Sequence, residues 1–248
     1  MLGGEYAKTR DALIELIRYT RVLAKRSSTP LTEGEELLDD QLRRPLRFVV
    51  IGEDGVGKTS LVGSLTGVNY AGESLKSPSV SIIRNLAYRV FEDAEQACEK
   101  HYVRGVKGVE IVEVQDYGKL NDEQHASLDY LLERTDFLFW VFPAENPWSA
   151  VTWEAVEAKH AKVRMRSALV LQQSDRREAE DIPMLLGHMR ELCQKRVDIA
   201  IPQFALSIHD GSGLSDCLAH VNLTLNRSVD RRRELRNVYK TTYEMLRR

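Results

Sequence analysis

Cysteine is scarce in this chain of 248 residues: Cys98, Cys193 and Cys217 are scattered and form no C-x-x-C pair. That pattern argues against a disulfide framework, so three reduced, partly buried thiols are expected. Long apolar runs are missing too, since no stretch approaches the roughly 20 residues needed to span a bilayer. The polar start Met1-Leu2-Gly3-Gly4-Glu5 lacks the apolar segment of a secretion signal. A cytoplasmic location, with peripheral membrane contact as a variant of it, is the expectation. Nor is there an excess of either charge. The 35 basic and 37 acidic residues leave a net charge of −2, which gives no global attraction to nucleic acid, and no such partner is expected. The six histidines show no metal-ligand spacing with cysteines or carboxylates.

What the chain does have is a complete phosphate-binding loop. Residues 52–59 read Gly-Glu-Asp-Gly-Val-Gly-Lys-Thr and meet the pattern G-x-x-x-x-G-K-[ST] through Gly52, Gly57, Lys58 and Thr59. The context fits, because Leu46–Ile51 reads as a buried strand entering the loop and 60–65 as the first turns of a helix leaving it. Glycines let backbone N–H groups wrap a phosphate without Cβ clashes, and the helix N-terminus adds positive potential. The predicted contact set is Gly52, Glu53, Asp54, Gly55, Val56, Gly57, Lys58, Thr59 and Ser60. Lys58 is expected to reach the β- and γ-phosphates and the Thr59 hydroxyl to ligate Mg²⁺.

Around this loop the chain alternates strands and helices. Strands are predicted near 80–90, 109–115, 136–142, 167–172 and 203–207, and helices near 59–66, 121–133, 149–163, 178–195 and 214–226. That alternation predicts an α/β fold with a mainly parallel sheet and helices on both faces. Residues 92–108 read as a polar excursion between strands. Residues 5–26 read as a helix, with Tyr6, Leu13, Leu16, Ile17, Tyr19, Val22 and Leu23 near one face. Thr32 and Glu35 form a capping-box pattern for a short second helix over 32–42, before Pro45 resets the chain. From Arg227 a last helix is predicted, with Val229, Leu235, Val238, Tyr239, Thr242 and Leu246 as its stripe. Its eight basic and three acidic residues make it net +5. This is either a solvated face or a surface for an acidic or membrane partner. The expected division is a helical segment over 1–44, a nucleotide-binding domain over 45–226 and a helix over 227–248.

Three later segments bear on which nucleotide is bound. Residues 109–116 form a strand ending in Asp116, placed to hold a Mg²⁺-bound water, and the N–H of Gly118 is placed to meet a γ-phosphate. Residues 168–175 deliver Asp175 to the carboxyl edge of the sheet, where open α/β folds bind ligands. A carboxylate there can accept both N1–H and N2–H₂ of guanine, a donor pair that adenine does not offer. A final strand leads into Ser207-Ile208-His209 and a glycine turn, which sets His209 beside the predicted base pocket.

Over about residues 46–226 the chain resembles the P-loop GTPase superfamily. The ordered elements are the phosphate loop, a switch serine or threonine, Asp116-Tyr117-Gly118, Gln172-Gln173-Ser174-Asp175 and Ser207-Ile208-His209. The resemblance implies a Ras-like G domain that binds GTP or GDP with Mg²⁺. It also implies a metal ligand from 67–81. No threonine occurs between Thr66 and Thr135, and Ser79 after Pro78 is the choice, so the metal set is Thr59, Ser79 and Asp116. Departures are clear. The family's Asp-x-x-Gly is one residue shorter here, Gln173 replaces the lysine whose stem lies over the base, and Ser207-Ile208-His209 replaces Ser-Ala-Lys. The helical ends and the passage over 130–146 are similar to dynamin-like proteins. That similarity implies a small bundle of 5–26 with 228–247, and association of the G domain with itself or a protein partner.

Ras-like enzymes place a glutamine just after the third element. Here Lys119 follows Gly118, and the next glutamine, Gln124, falls in a predicted helix. Asp54, at the loop position nearest the β–γ bridge, adds negative charge beside the phosphates. Slow basal hydrolysis is implied, with Lys58, Asp54 and Lys119 as the reacting set and a partner's arginine as a further source of charge. An inert pseudo-GTPase scaffold and a P-loop ATPase or kinase remain as alternatives.

Overall fold

The computed structural model describes residues 46–66, the backbone of 98–102, residues 109–114 and 116–225, and scattered positions between 11 and 26. The chain divides into two compact units. One comprises Arg47–Gly105 and Glu110–Ala219, the other Met1–Leu46, Val106–Val109 and His220–Arg248.

The first unit holds a sheet that runs from β1 (Leu46–Ile51) through β2 (Cys98–Tyr102), β3 (Val109–Val114), β4 (Phe137–Pro143), β5 (Ser167–Gln172) and β6 (Gln203–Leu206). The spatial order of the six strands is β2-β3-β1-β4-β5-β6. β1, β4, β5 and β6 run parallel, and β2 pairs antiparallel with β3. The helices are α1 (Lys58–Thr66), α2 (Asp122–Glu133), α3 (Ala150–Ala158), α4 (Ala161–Arg164), α5 (Asp181–Val197) and α6 over 214–225. This is the α/β, mainly parallel architecture read from the sequence.

The central strands are continuous apolar runs, as a sheet covered on both faces requires. Every residue of β5 and the first six of β4 are buried. Side chains alternate between faces along each strand. Val49, Ile51, Leu138, Trp140, Leu169 and Leu171 join one core cluster with Leu128 and Leu132 of α2, Trp153 of α3 and Met189 and Cys193 of α5. Their neighbours Phe48, Val50, Phe139, Val141 and Val170 point the other way and are fully buried, as are Leu61 and Val62 of α1. Phe48 stacks on Phe139 with ring centroids 6.4 Å apart.

Several expectations need correction. The polar excursion over 92–108 contains a strand, β2, at the sheet's edge. Its sequence, Cys-Glu-Lys-His-Tyr, has no apolar alternation to reveal it. The single helix expected over 149–163 is two, because Lys159 adopts an extended conformation and His160 Nδ1 accepts from Lys162 N to start α4. Lys159 leaves the helix to pair with Asp129 and lies 5.9 Å from the ring centre of Tyr117.

In the second unit the described positions between 11 and 26 are helical. Tyr19 and Val22, expected in that helix's apolar stripe, are exposed at 61% and 46%. Glu15, Tyr19, Val22 and Arg26 share one helix face, and the charged members mark it as solvated. The helix over 32–42, the strand near 80–90, Ser79 and the helix from Arg227, with the bundle it would form, lie outside the described residues.

Phe139→Ala removes a fully buried ring from the sheet's centre. It should lower unfolding free energy by about 3–5 kcal/mol, read as a shift in urea midpoint with an unchanged slope.

Candidate functional site

The strand order reverses at β1, with β3 on one side and β4 on the other, so a crevice opens at the carboxyl ends of the strands. Among the described residues, the predicted segments collect along that edge: 52–57 follows β1, Asp116 follows β3, Gln173 to Asp175 follow β5 and Ser207 to His209 follow β6.

The loop's shape is set by two glycines with no room for a side chain. A Cβ at Gly52 would lie 2.6 Å from the Val141 carbonyl oxygen. Gly57 has φ +93°, and a Cβ there would meet Gln172 Cγ at 2.7 Å. α1 then begins at Lys58 itself, whose side chain folds back so that Nζ donates to the Glu53 carbonyl at 2.5 Å. Lys58 is only 5% exposed. Burial pushes its ammonium below the ordinary lysine value, against the attraction of Glu113, Asp54, Asp116 and Glu53.

The Thr59 hydroxyl donates to Glu113 Oε1 at 2.6 Å. Glu113, on β3, is 2% exposed. The sequence suggested Asp116 as the acid that holds a Mg²⁺-bound water and did not single out Glu113, which the structure places on the Thr59 hydroxyl. Asp116 is occupied elsewhere: Oδ1 accepts from Gly118 N at 3.1 Å and Oδ2 pairs with Lys119 Nζ at 2.9 Å. Burial opposes the charge on Asp116, but the bonds from Lys119 and Gly118 outweigh it and hold the carboxyl below its usual value. The signal for Glu113 was present in the sequence. Two acids in an otherwise apolar strand must each be paired if buried, and Glu110, the other, is bound by Arg47.

The remaining predicted residues fall as follows. Glu53 turns away from the loop's mouth, and its Oε1 accepts from Ser149 and Thr152 at the start of α3. Asp54 is exposed and accepts from Gly55 N at 3.0 Å. Val56 is buried and Ser60 exposed. Gln172 is 1% exposed, lying behind Gly57. Gln173 sits in the left-handed region (φ 64°), and its Nε2 donates to the Gly55 carbonyl at 3.3 Å. The turn that carries Asp175 is thereby tied to the phosphate loop, and Asp175 itself is exposed at that edge. Arg177, which sequence reasoning missed, fixes the same turn by donating to the carbonyls of Ala144 and Glu145 at 3.1 and 2.6 Å. Ser207 is fully buried and its carbonyl accepts from Gly211 N at 2.9 Å, while Ile208 is half-buried and His209 exposed. Gln124 caps α2 in a reciprocal pair with Asn121, at 2.9 and 3.0 Å, and Lys119 is paired with Asp116.

The fold is that of the P-loop GTPases. No family model matches the chain. A bacterial dynamin GTPase, LeoA from ETEC, superposes with a TM-score of 0.62 at 13% identity, over 99% of this chain and 49% of that one. A bacterial selenocysteine-specific elongation factor, EF-Sec, gives 0.51 at 16% identity, over 74% of this chain and 29% of that one. Among curated sequences, a probable transmembrane GTPase, FZO-like and chloroplastic, of Arabidopsis thaliana is 28% identical over 133 residues, 48% of this chain and 14% of that protein. The chain thus matches a small part of that relative and half or less of each solved structure.

A buried ammonium held below its ordinary pKa costs stability wherever it is charged. Lys58→Met should therefore raise the melting temperature of the ligand-free protein by about 2–4 °C near neutral pH. Because the folded-state pKa lies below the unfolded value, the unfolded chain binds more protons in the alkaline window between them, and wild-type stability rises with pH across it. The gap between variant and wild type should close over that window, as differential scanning calorimetry at a series of pH values will show.

Proposed function

We propose that this chain is a guanine-nucleotide-binding switch of the GTPase class, with slow intrinsic hydrolysis of GTP. The observation that carries this reading is the Gln173–Gly55 hydrogen bond, which joins the Asp175 turn to the phosphate loop so that one ligand can span both. The loop's N–H groups and Lys58 bind phosphates. The Asp175 carboxylate receives the two donors on the guanine edge, and the turn from Ser207 to His209 closes the other side of the base.

The donor set suits Mg²⁺. The Thr59 hydroxyl and Glu113 carboxylate are hard oxygen ligands held 2.6 Å apart. When bound, the ion neutralises phosphate charge. It is needed, because Glu113, Asp54 and Asp116 all bear on the buried cation Lys58, and phosphates alone would add to that negative field.

Slow hydrolysis follows from the groups that are already engaged. Gln124 is committed to its cap and Lys119 to Asp116, so neither is placed in this arrangement to orient a water or to receive charge on the transferring phosphoryl group. Charge compensation is the larger part of phosphoryl-transfer catalysis. A group from a second G domain or a protein partner would supply it. The extent of the LeoA superposition, 99% of the chain against 74% for EF-Sec, supports a dynamin-like reading in which the ends of the chain act with the G domain. Contact with an acidic membrane surface through the net +5 segment after residue 226 belongs to the same proposal.

Asp175→Ala should weaken GTP binding by roughly 1.5–3 kcal/mol, the worth of charged hydrogen bonds to the base, and leave ATP binding as weak as before in calorimetric titration. Equal loss for the two nucleotides would remove Asp175 from the base pocket. Single-turnover hydrolysis should be slow when the protein is dilute and quicken with concentration. A rate of zero at every concentration would instead favour an inert binding scaffold.

A further inference from the structure

α5 (Asp181–Val197) buries Met189, Cys193 and Val197 on one face. On the opposite face Met184, His188, Glu191 and Lys195 are all exposed. They follow at intervals of four, three and four residues, the spacing of a helix–helix seam. Trp148, in the loop between β4 and α3, stands beside this stripe with its ring centre 6.2 Å from that of His188. Trp148, His188, Glu191, Leu192 and Lys195 line an open groove of about 310 Å³. Trp148 is 42% exposed and Met184 55%, whereas Trp140 and Trp153 are buried. Among the described residues, neither Glu191 nor Lys195 has an ion-pair partner.

We propose that this face of α5, with Trp148, is a docking surface for a second copy of the chain, packed with the two α5 helices antiparallel. The stripe is complementary to itself in that direction alone. A two-fold axis at the level of Met189 and Arg190 sets His188 level with Glu191 of the second copy, and Met184 level with its Lys195. The carboxylate accepts from the imidazole N–H, and the thioether lies along the methylene stem of the lysine. A parallel pair would instead set Glu191 against Glu191 and Lys195 against Lys195. The same axis places the two Trp148 indoles on one side of the helix pair, where they cover the contact, as tryptophan does at interface centres. One helix face and an indole are small beside the about 1,200–2,000 Å² of a stable complex, so the association is weak and grows with concentration. The inference stands apart from the nucleotide reading. It bears on that site through the loop that carries Trp148: Arg177 holds the carbonyls of Ala144 and Glu145, and the Ser149 hydroxyl donates to Glu53 of the phosphate loop.

The test is sedimentation velocity of the full, ligand-free chain from about 1 μM to about 1 mM. The wild-type chain should pass from monomer to dimer over that range. His188→Glu sets like charges level with each other twice per dimer and should raise the dissociation constant on the order of tenfold. His188→Glu combined with Glu191→Lys restores opposite charges across the axis and should recover dimerisation. Both positions are exposed, so neither change reaches the core, and circular dichroism checks the fold. Iodide quenching of the wild-type chain supplies a second readout, because Trp148 is the exposed tryptophan and should be protected as dimer forms. A chain that stays monomeric throughout overturns the proposal and leaves the groove to another occupant. A dimer indifferent to His188→Glu, a double variant that fails to recover, or a dimer in which Trp148 is quenched as freely as in the monomer would each overturn it as well.

Discussion

A lysine ammonium buried at the end of β1, among more carboxylates than it can neutralise, is the constraint on which the rest of the site depends. Lys58 is 5% exposed and feels Glu113, Asp54, Asp116 and Glu53. Each acid is managed differently. Glu53 is drawn to the start of α3, Glu113 takes the Thr59 hydroxyl, Asp54 bonds the loop's own N–H, and Asp116 is clasped by Gly118 and Lys119. In the absence of ligand the site is therefore a set of mutually satisfied charges. In the proposed function, a nucleotide brings its own cation and rearranges them.

The scaffold makes that arrangement possible by being apolar where the site is polar. β4 and β5 are buried along almost their whole length, and their register fixes Val141 beneath Gly52 and Gln172 behind Gly57. Interiors this closely packed transmit displacement. Ser149 and Thr152 link the loop to α3 through Glu53, and Gln173 links it to the turn after β5. Three segments distant in sequence are thus tied together at one edge of the sheet.

Much of this was legible in the sequence because two strong signals coincide. The runs Phe48–Ile51, Phe137–Phe142 and Ala168–Leu171 have no polar interruption, and the phosphate loop has fixed spacing, so strand, loop and helix could be placed to within a residue or two. β2 was not legible, because an edge strand of Cys-Glu-Lys-His-Tyr carries no hydrophobic pattern. The break between α3 and α4 was hidden too, since Lys159 leaves the helix for partners in α2 and the turn before it, which only the tertiary structure supplies. Glu113 was passed over for a related reason, since the direction of a side chain from a strand decides which carboxylate meets Thr59, and only the fold supplies it. Arg177, which pins the base-side turn through backbone carbonyls, leaves no pattern in a sequence at all.

The account's central claim is that a net acidic phosphate site accepts guanine nucleotide only together with a divalent cation. Equilibrium dialysis of the full chain against an equimolar mixture of GTP and ATP, with Mg²⁺ and then with a chelator, tests it most directly. The account predicts that guanine nucleotide is retained with Mg²⁺, that adenine nucleotide is not, and that retention is lost on chelation. Equal retention of both nucleotides, or undiminished retention without the metal, would contradict it.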